Sequence, residues 1–160
     1  MKKYLLACML LSVVSMSAFA QFEKGKKYVG ASLSSAGISY SDYEEFAFGA
    51  DFTGGYMFTD DWMLLGEVGF DYKNSDIRSL YLGTKVRYYI EQNGLFLGGG
   101  MRYLHGFKNF NDFQLTPEVG YCFFLGKYAS IEPALYYDMS LSDFAHKSKV
   151  GIKVGFGLYF

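Results

Sequence analysis

Two histidines, two cysteines and a scatter of carboxylates are the residues of this 160-residue chain that could do chemistry. Covalent catalysis by a hydroxyl needs a base within hydrogen-bond reach and a third group to orient that base. His146-Lys147-Ser148, with Asp143 just upstream, is the one stretch that offers all three types. No flanking motif lifts it above the plainer reading, in which His105 and His146 are solvated loop residues. No spacing of His, Cys and carboxylates matches a metal site. The 19 glycines follow a strand rhythm and not that of a phosphate loop. No cofactor is expected. What remains is a set of charges embedded among apolar neighbours: Asp51, Glu67, Asp71, Glu118, Glu132 and Asp138 against Lys85, Arg87, Arg102, Lys149 and Lys153. Six acids against five bases approach neutrality, and buried charges persist only when paired and hydrogen-bonded. The expectation is one network in which Arg87 and Arg102 bridge the carboxylates.

Composition limits what such a network could serve. Charged residues are 19 % of the chain and aromatics 20 %, which rules out a disordered segment. Lys+Arg is 15 against 16 Asp+Glu with no basic block, so a nucleic-acid partner is not expected. The length suits one domain with one core.

Residues 1–20 read as a cleaved secretory signal peptide. Lys2 and Lys3 form a positive start, Tyr4 to Met16 an apolar run, and Ala18-Phe19-Ala20 a cleavage site before Gln21. Cys8 lies too early in that run for a lipoprotein box. Removal of the leader leaves residues 21–160 with Cys122 as the single thiol, so no internal disulfide supports the fold. Beyond the leader no run of 18 apolar residues exists, hence no membrane-spanning helix.

The mature chain has a period of two nearly throughout, which predicts strands at 28–35, 46–58, 62–72, 80–90, 95–104, 113–124, 129–139 and 149–160. Each is long enough to cross a bilayer at a tilt, and eight is an even number, as closed bacterial barrels require. Every one of the eleven charges falls on the side opposite the large apolar residues. In the last strand, Val150, Ile152, Val154, Phe156, Leu158 and Phe160 oppose Lys149, Gly151, Lys153, Gly155 and Gly157.

Three features decide which side is inside. The polar side is crowded with glycines, among them Gly69, Gly83, Gly98 and Gly157, which make a poor outer surface but fit a narrow lumen. The apolar side carries aromatics near strand ends, such as Phe58, Trp62, Tyr88, Tyr103 and Phe113, at the levels of two interfacial girdles. Connections alternate in length: those at 36–45, 73–79, 105–112 and 140–148 are long, those at 59–61, 91–94 and 125–128 short. The fold class predicted is therefore all-β, an eight-stranded antiparallel up-and-down transmembrane β-barrel; a soluble lipocalin-like barrel would need the faces reversed. Pro117 and Pro133 fall inside predicted strands, where a bulge or a skipped hydrogen bond is expected at each.

Thr116-Pro117-Glu118-Val119-Gly120-Tyr121, Ile131-Glu132-Pro133, the eight amphipathic segments and the final Phe160 resemble the small outer-membrane β-barrel family. That family includes outer-membrane protein X and the membrane domain of outer-membrane protein A. The likeness spans essentially residues 21–160. It implies residence in a Gram-negative-type outer membrane, outer-membrane lipid as solvent, and the barrel-assembly machinery as a partner in biogenesis. Val154, Phe156, Leu158 and Phe160 resemble the terminal signal which that machinery recognises. His146-Lys147-Ser148 also resembles the His/Ser pairing of barrel enzymes that trim lipid A, although its surroundings do not match them. The expectation is a monomeric, non-catalytic barrel with a plugged polar lumen, serving membrane structure or surface interaction. Its outer loops, Tyr40–Phe46 and His105–Phe113, could meet a protein or glycan partner. A small porin-like channel is the alternative, and a lipid-A-modifying enzyme a more distant one.

Overall fold

A computed structural model describes residues 22–35, 47–73, 76–106, 110–142 and 148–160. The strands are β1 (Lys27–Ser35), β2 (Ala47–Met57), β3 (Trp62–Lys73), β4 (Asp76–Tyr89), β5 (Leu95–Gly106), β6 (Phe110–Leu115), β7 (Glu118–Tyr121), β8 (Phe123–Phe124), β9 (Ala129–Ser140) and β10 (Lys149–Tyr159). β6, β7 and β8 are consecutive pieces of one stave. They keep a constant register against β9, from Gln114↔Ser140 through Glu118↔Tyr136 to Phe124↔Ser130. Each stave pairs antiparallel with its neighbours in sequence, and β10 pairs with β1. The result is a closed ring of eight staves without an open edge.

Following partners around the ring fixes its geometry. Tyr159 leads through Tyr28, Gly55, Leu65, Lys85, Gly100, Thr116 and Asp138 to Lys149, ten residues back along β10. A shear of ten on eight strands sets a tilt of about 40–45° and an interior that side chains can fill.

Alternation controls burial. In β10, Gly151, Lys153, Gly155, Gly157 and Tyr159 are buried, while Val150, Ile152, Val154, Phe156 and Leu158 are exposed. The ring is thus covered outside by exposed apolar side chains from every stave, including Leu82 and Met101 at more than 60 % exposure. Water would penalise such a surface and lipid favours it. Aromatic pairs, three across neighbouring staves and one within a stave, mark both ends of the belt. Trp62–Tyr88 and Tyr121–Phe123 lie at the end with the short turns, Phe48–Tyr72 and Tyr103–Phe113 at the other.

Several expectations need correction. Pairing continues past the apolar band, because rungs still form where the large outward residues stop. Asp76 and Lys73 pair, as do Gly106 and Phe110, so most of the expected links 73–79 and 105–112 is strand. His105 is therefore a β5 residue opposite Asn111, not a loop residue. Ile90 leaves the strand for a short 3-10 turn, Ile90–Gln92.

Neither proline makes a bulge. The register shift lies elsewhere, between Asp71 and Tyr72, where β4 carries one extra residue between Ile77 and Ser79. It turns Ile77 outward and Ser79 inward, although they are two apart. At Pro117 the hydrogen bond is skipped. Tyr137 N donates to Pro117 O at 3.0 Å, and proline has no N–H to return the bond. By the same register Pro133 stands opposite Tyr121, again as a partner that can only accept.

Candidate functional site

The candidate site is the lumen, since inward alternation delivers side chains from all eight staves to it. Its centre is a chain of charges. Lys85 Nζ lies 2.9 Å from both Glu67 Oε2 and Glu118 Oε2. Glu118 also accepts from Lys153 and, at 2.7 Å, from Arg87 Nε. Arg87 Nη1 reaches Glu132 Oε2 at 2.7 Å, and its guanidinium stacks 4.3 Å from the Phe96 ring. Arg87 therefore joins two carboxylates from two other staves.

A second cluster lies toward the long-loop end. Arg102 pairs with Asp138 and donates from Nε to Gln114 Oε1 at 2.8 Å, with Tyr81 4.6 Å from its guanidinium. Lys149 Nζ sits 3.3 Å from Asp71 and 3.8 Å from Asp138. Asp51 is held by hydroxyls, accepting from Ser32 Oγ at 2.6 Å, Thr53 Oγ1 at 3.3 Å and Tyr81 OH at 3.4 Å.

Sequence reasoning missed one member. Asp112, assigned to a loop, is 1 % exposed in β6 and accepts from Gln114 Nε2 at 3.0 Å. The inward charges described are thus seven acids against five bases. The signal was available: Phe113 and Leu115 already set the parity that turns Asp112 inward.

The glycines make room for this packing. A Cβ on Gly98 would meet Glu118, one on Gly83 the stem of Arg102, and one on Gly157 Glu132, Ser130 and Tyr28. Tyr81 lies over Gly69 and Tyr136 over Gly151, so large rings fill space that glycine leaves on the next stave. The cavity left amid the central charges is about 10 Å³, lined by Ser32, Asp51, Thr53, Glu67, Lys85 and Lys153 among others. That is room for one water.

Below the charges, at the end bearing the short turns, the lumen is apolar. Phe22, Met57, Met63, Leu65, Tyr89, Phe96, Cys122 and Tyr159 form one buried cluster. Glu132 sits at the boundary, accepting from Ser130 Oγ at 2.8 Å, Tyr159 OH at 3.0 Å and Tyr28 OH at 3.1 Å besides Arg87. The parity of strands predicts these inward positions, but nothing in the pattern predicts Phe22, which belongs to no strand.

The remaining candidates are scattered. His105 Nδ1 is 2.7 Å from Asn111 Oδ1 on the exposed face, and Ser148 Oγ accepts from Ser140 N at 3.2 Å. Asp143, His146, the Tyr40–Phe46 stretch and the leader with Ala18 and Ala20 lie outside the described residues. Val154, Phe156, Leu158 and Phe160 line the lipid face, all exposed.

Solved structures share this architecture. The N-terminal β-barrel domain of Pseudomonas aeruginosa OprF superposes with a TM-score of 0.65 at 14 % identity, covering 86 % of this chain and 98 % of that one. Neisserial surface protein A gives 0.58 at 14 % identity, over 86 % of this chain and all of the other. The Yersinia pestis outer membrane protein Ail in a phospholipid nanodisc gives 0.56 at 14 % identity, with the same coverage. At such identities the likeness speaks for the fold alone. No curated protein matches the chain. The model of the outer membrane protein beta-barrel domain family, however, matches residues 6–160, nearly the whole sequence. With its closed ring, lipid-facing belt and inward charges, the chain belongs to that family and resides in the Gram-negative outer membrane.

Proposed function

We propose that the protein is a non-catalytic, monomeric barrel with a plugged lumen, serving membrane structure or surface interaction through its long-loop end. The observation that carries this reading is the filled interior: the central charges leave a cavity of only about 10 Å³. An ion would have to part Lys85, Arg87 and Lys153 from Glu118, and unpaired charges in a narrow interior are costly. Outer-membrane lipid is its solvent. The barrel-assembly machinery is its partner in biogenesis, meeting Val154, Phe156, Leu158 and Phe160 before these side chains face lipid. A protein or glycan partner at the outer end is supported by exposed aromatic and polar residues such as His105, Asn111 and Phe113.

Planar-bilayer recording tests the plug. The folded barrel is expected to give no discrete openings; stable unitary steps at neutral pH would replace this reading with the small channel. Any lipid A change on overexpression that His146→Ala abolishes would replace it with the enzyme.

A further inference from the structure

The plug has a second component that no strand supplies. Phe22 precedes β1, yet it is fully buried. Its ring stacks on Tyr89 at a centroid distance of 3.9 Å and 21°, and meets Phe124 and Tyr159 edge-on at 5.3 and 5.7 Å. Residues 23–26 cross the mouth and are hooked to the β2–β3 hairpin. Gly25 N donates to Met57 O at 2.8 Å, Met57 N to Lys26 O at 2.9 Å, and Lys24 N to Asp60 Oδ1 at 2.9 Å. Gly25 has φ +95° and nothing within 4 Å of where a Cβ would stand, so this turn is both glycine-dependent and free of packing.

The ring closes without Phe22. Above it, Lys27 N donates to Phe160 O at 2.7 Å and Phe160 N to Lys27 O at 3.0 Å, closing β1 against the end of β10. Phe22 therefore contributes packing and no rung.

We propose that residues 22–24 are a strap across the terminus-bearing mouth, hinged at Gly25, with Phe22 as its stopper. Swinging the strap out about Gly25 opens a vestibule while the ring stays closed. The vestibule is walled by Met57, Met63, Leu65, Tyr89, Phe96 and Tyr159, and it accepts a planar aromatic or small apolar group in place of the Phe22 ring. The inference rests on the plugged-lumen reading, because the charges beyond Glu132 form the vestibule's floor.

Cys122 is a built-in reporter. It is 2 % exposed, belongs to the same cluster as Phe22, and lies 3.6 Å from Tyr159 OH. The test is the rate at which N-ethylmaleimide labels Cys122 in the detergent-folded barrel, with the label located by mass spectrometry. Phe22→Ala is expected to speed labelling roughly ten- to a hundredfold, since local opening of a buried site controls access. Its unboiled gel mobility should be that of the folded ring, and toluene should restore protection by occupying the vacated apolar space. Wild-type labelling rates in a folded Phe22→Ala barrel would overturn the stopper. If that variant fails to fold, Gly25→Ala keeps the ring but strains the turn. Its labelling should rise several-fold, and an unchanged rate would again overturn the proposal. Discrete conductance that appears only in Phe22→Ala barrels whose Cys122 labels rapidly would instead sink the plugged lumen and leave the stopper standing.

Discussion

Pro117 and Pro133 interrupt the same seam. Both stand on the joint between the β6–β8 stave and β9, at positions where an ordinary residue would donate to its partner, Tyr137 and Tyr121 respectively. The joint between β9 and β10 has no such gap: it runs in unbroken register from Lys149↔Asp138 to Leu158↔Ala129. Two rungs are missing on one side of β9 and none on the other.

That asymmetry predicts uneven amide exchange along one strand. The N–H groups of Ile131, Leu135 and Tyr137 point into the proline seam, those of Glu132, Ala134 and Tyr136 toward β10. The first set should exchange faster in lipid-reconstituted protein, because fewer bonds must break to open that joint. Equal protection of the two sets would show that the prolines do not weaken the seam.

Removal of one lumen arginine should cost more than removal of the other. Arg87→Ala strands Glu132, whose ion pair it supplies, and is expected to lose about 3–5 kcal/mol. Arg102→Ala leaves Asp138 with Thr116 Oγ1 at 3.1 Å and Lys149 at 3.8 Å, so the loss should be smaller, about 1–3 kcal/mol. Urea unfolding in lipid bilayers measures both. An Arg102→Ala midpoint equal to wild type would remove Arg102 from the network's stability.

Glycines on the two faces should respond oppositely to alanine. Gly120→Ala would drive a methyl to 2.7 Å from both the Ala134 side chain and the Pro133 carbonyl, with backbone that cannot yield. Overpacking of this kind costs about 1–3 kcal/mol. Gly54→Ala meets nothing within 4 Å on the lipid face and should stabilise by about 0.5–1 kcal/mol, since alanine orders a strand at less entropic cost. Thermal gel-shift midpoints of the two variants decide the matter, and the same sign for both would contradict the assigned faces.

Phe160→Ala separates biogenesis from stability. The side chain is 58 % exposed on the lipid face, whereas the backbone bonds to Lys27 survive the change. The purified variant should refold in detergent with its normal gel shift, while the amount assembled in cells falls several-fold. An undiminished cellular level would strip Phe160 of its part in assembly.

The staves were legible because the lipid face imposes large apolar residues at every second position, as at Leu64, Val68 and Leu82. Where that demand ends the pattern fades although pairing continues. This is why the outer parts of β3 to β6 read as loops and Asp112 was lost with them. The extra residue between Ile77 and Ser79 is equally silent, since a bulge alters facing without altering composition. Parity placed the eleven charges on one side, but their partners depend on the ring's shear, which no single strand encodes. Phe22 was invisible for another reason: one aromatic outside any period carries no sign of what it packs against.

The alternation that sorts Lys149 and Lys153 from Val150, Ile152 and Val154 also bears on how such a chain travels. Every stave mixes lipid-facing bulk with glycine or polar residues at single-residue spacing, and the mean hydropathy is only +0.06. A secretion channel tests segments as helices about 20 residues long, and charges such as Lys85 and Arg87 count heavily against lateral release. Each stave therefore slips past the first membrane it meets and becomes greasy only once the ring has turned its polar half inward. The destination is written in what the chain hides until it folds.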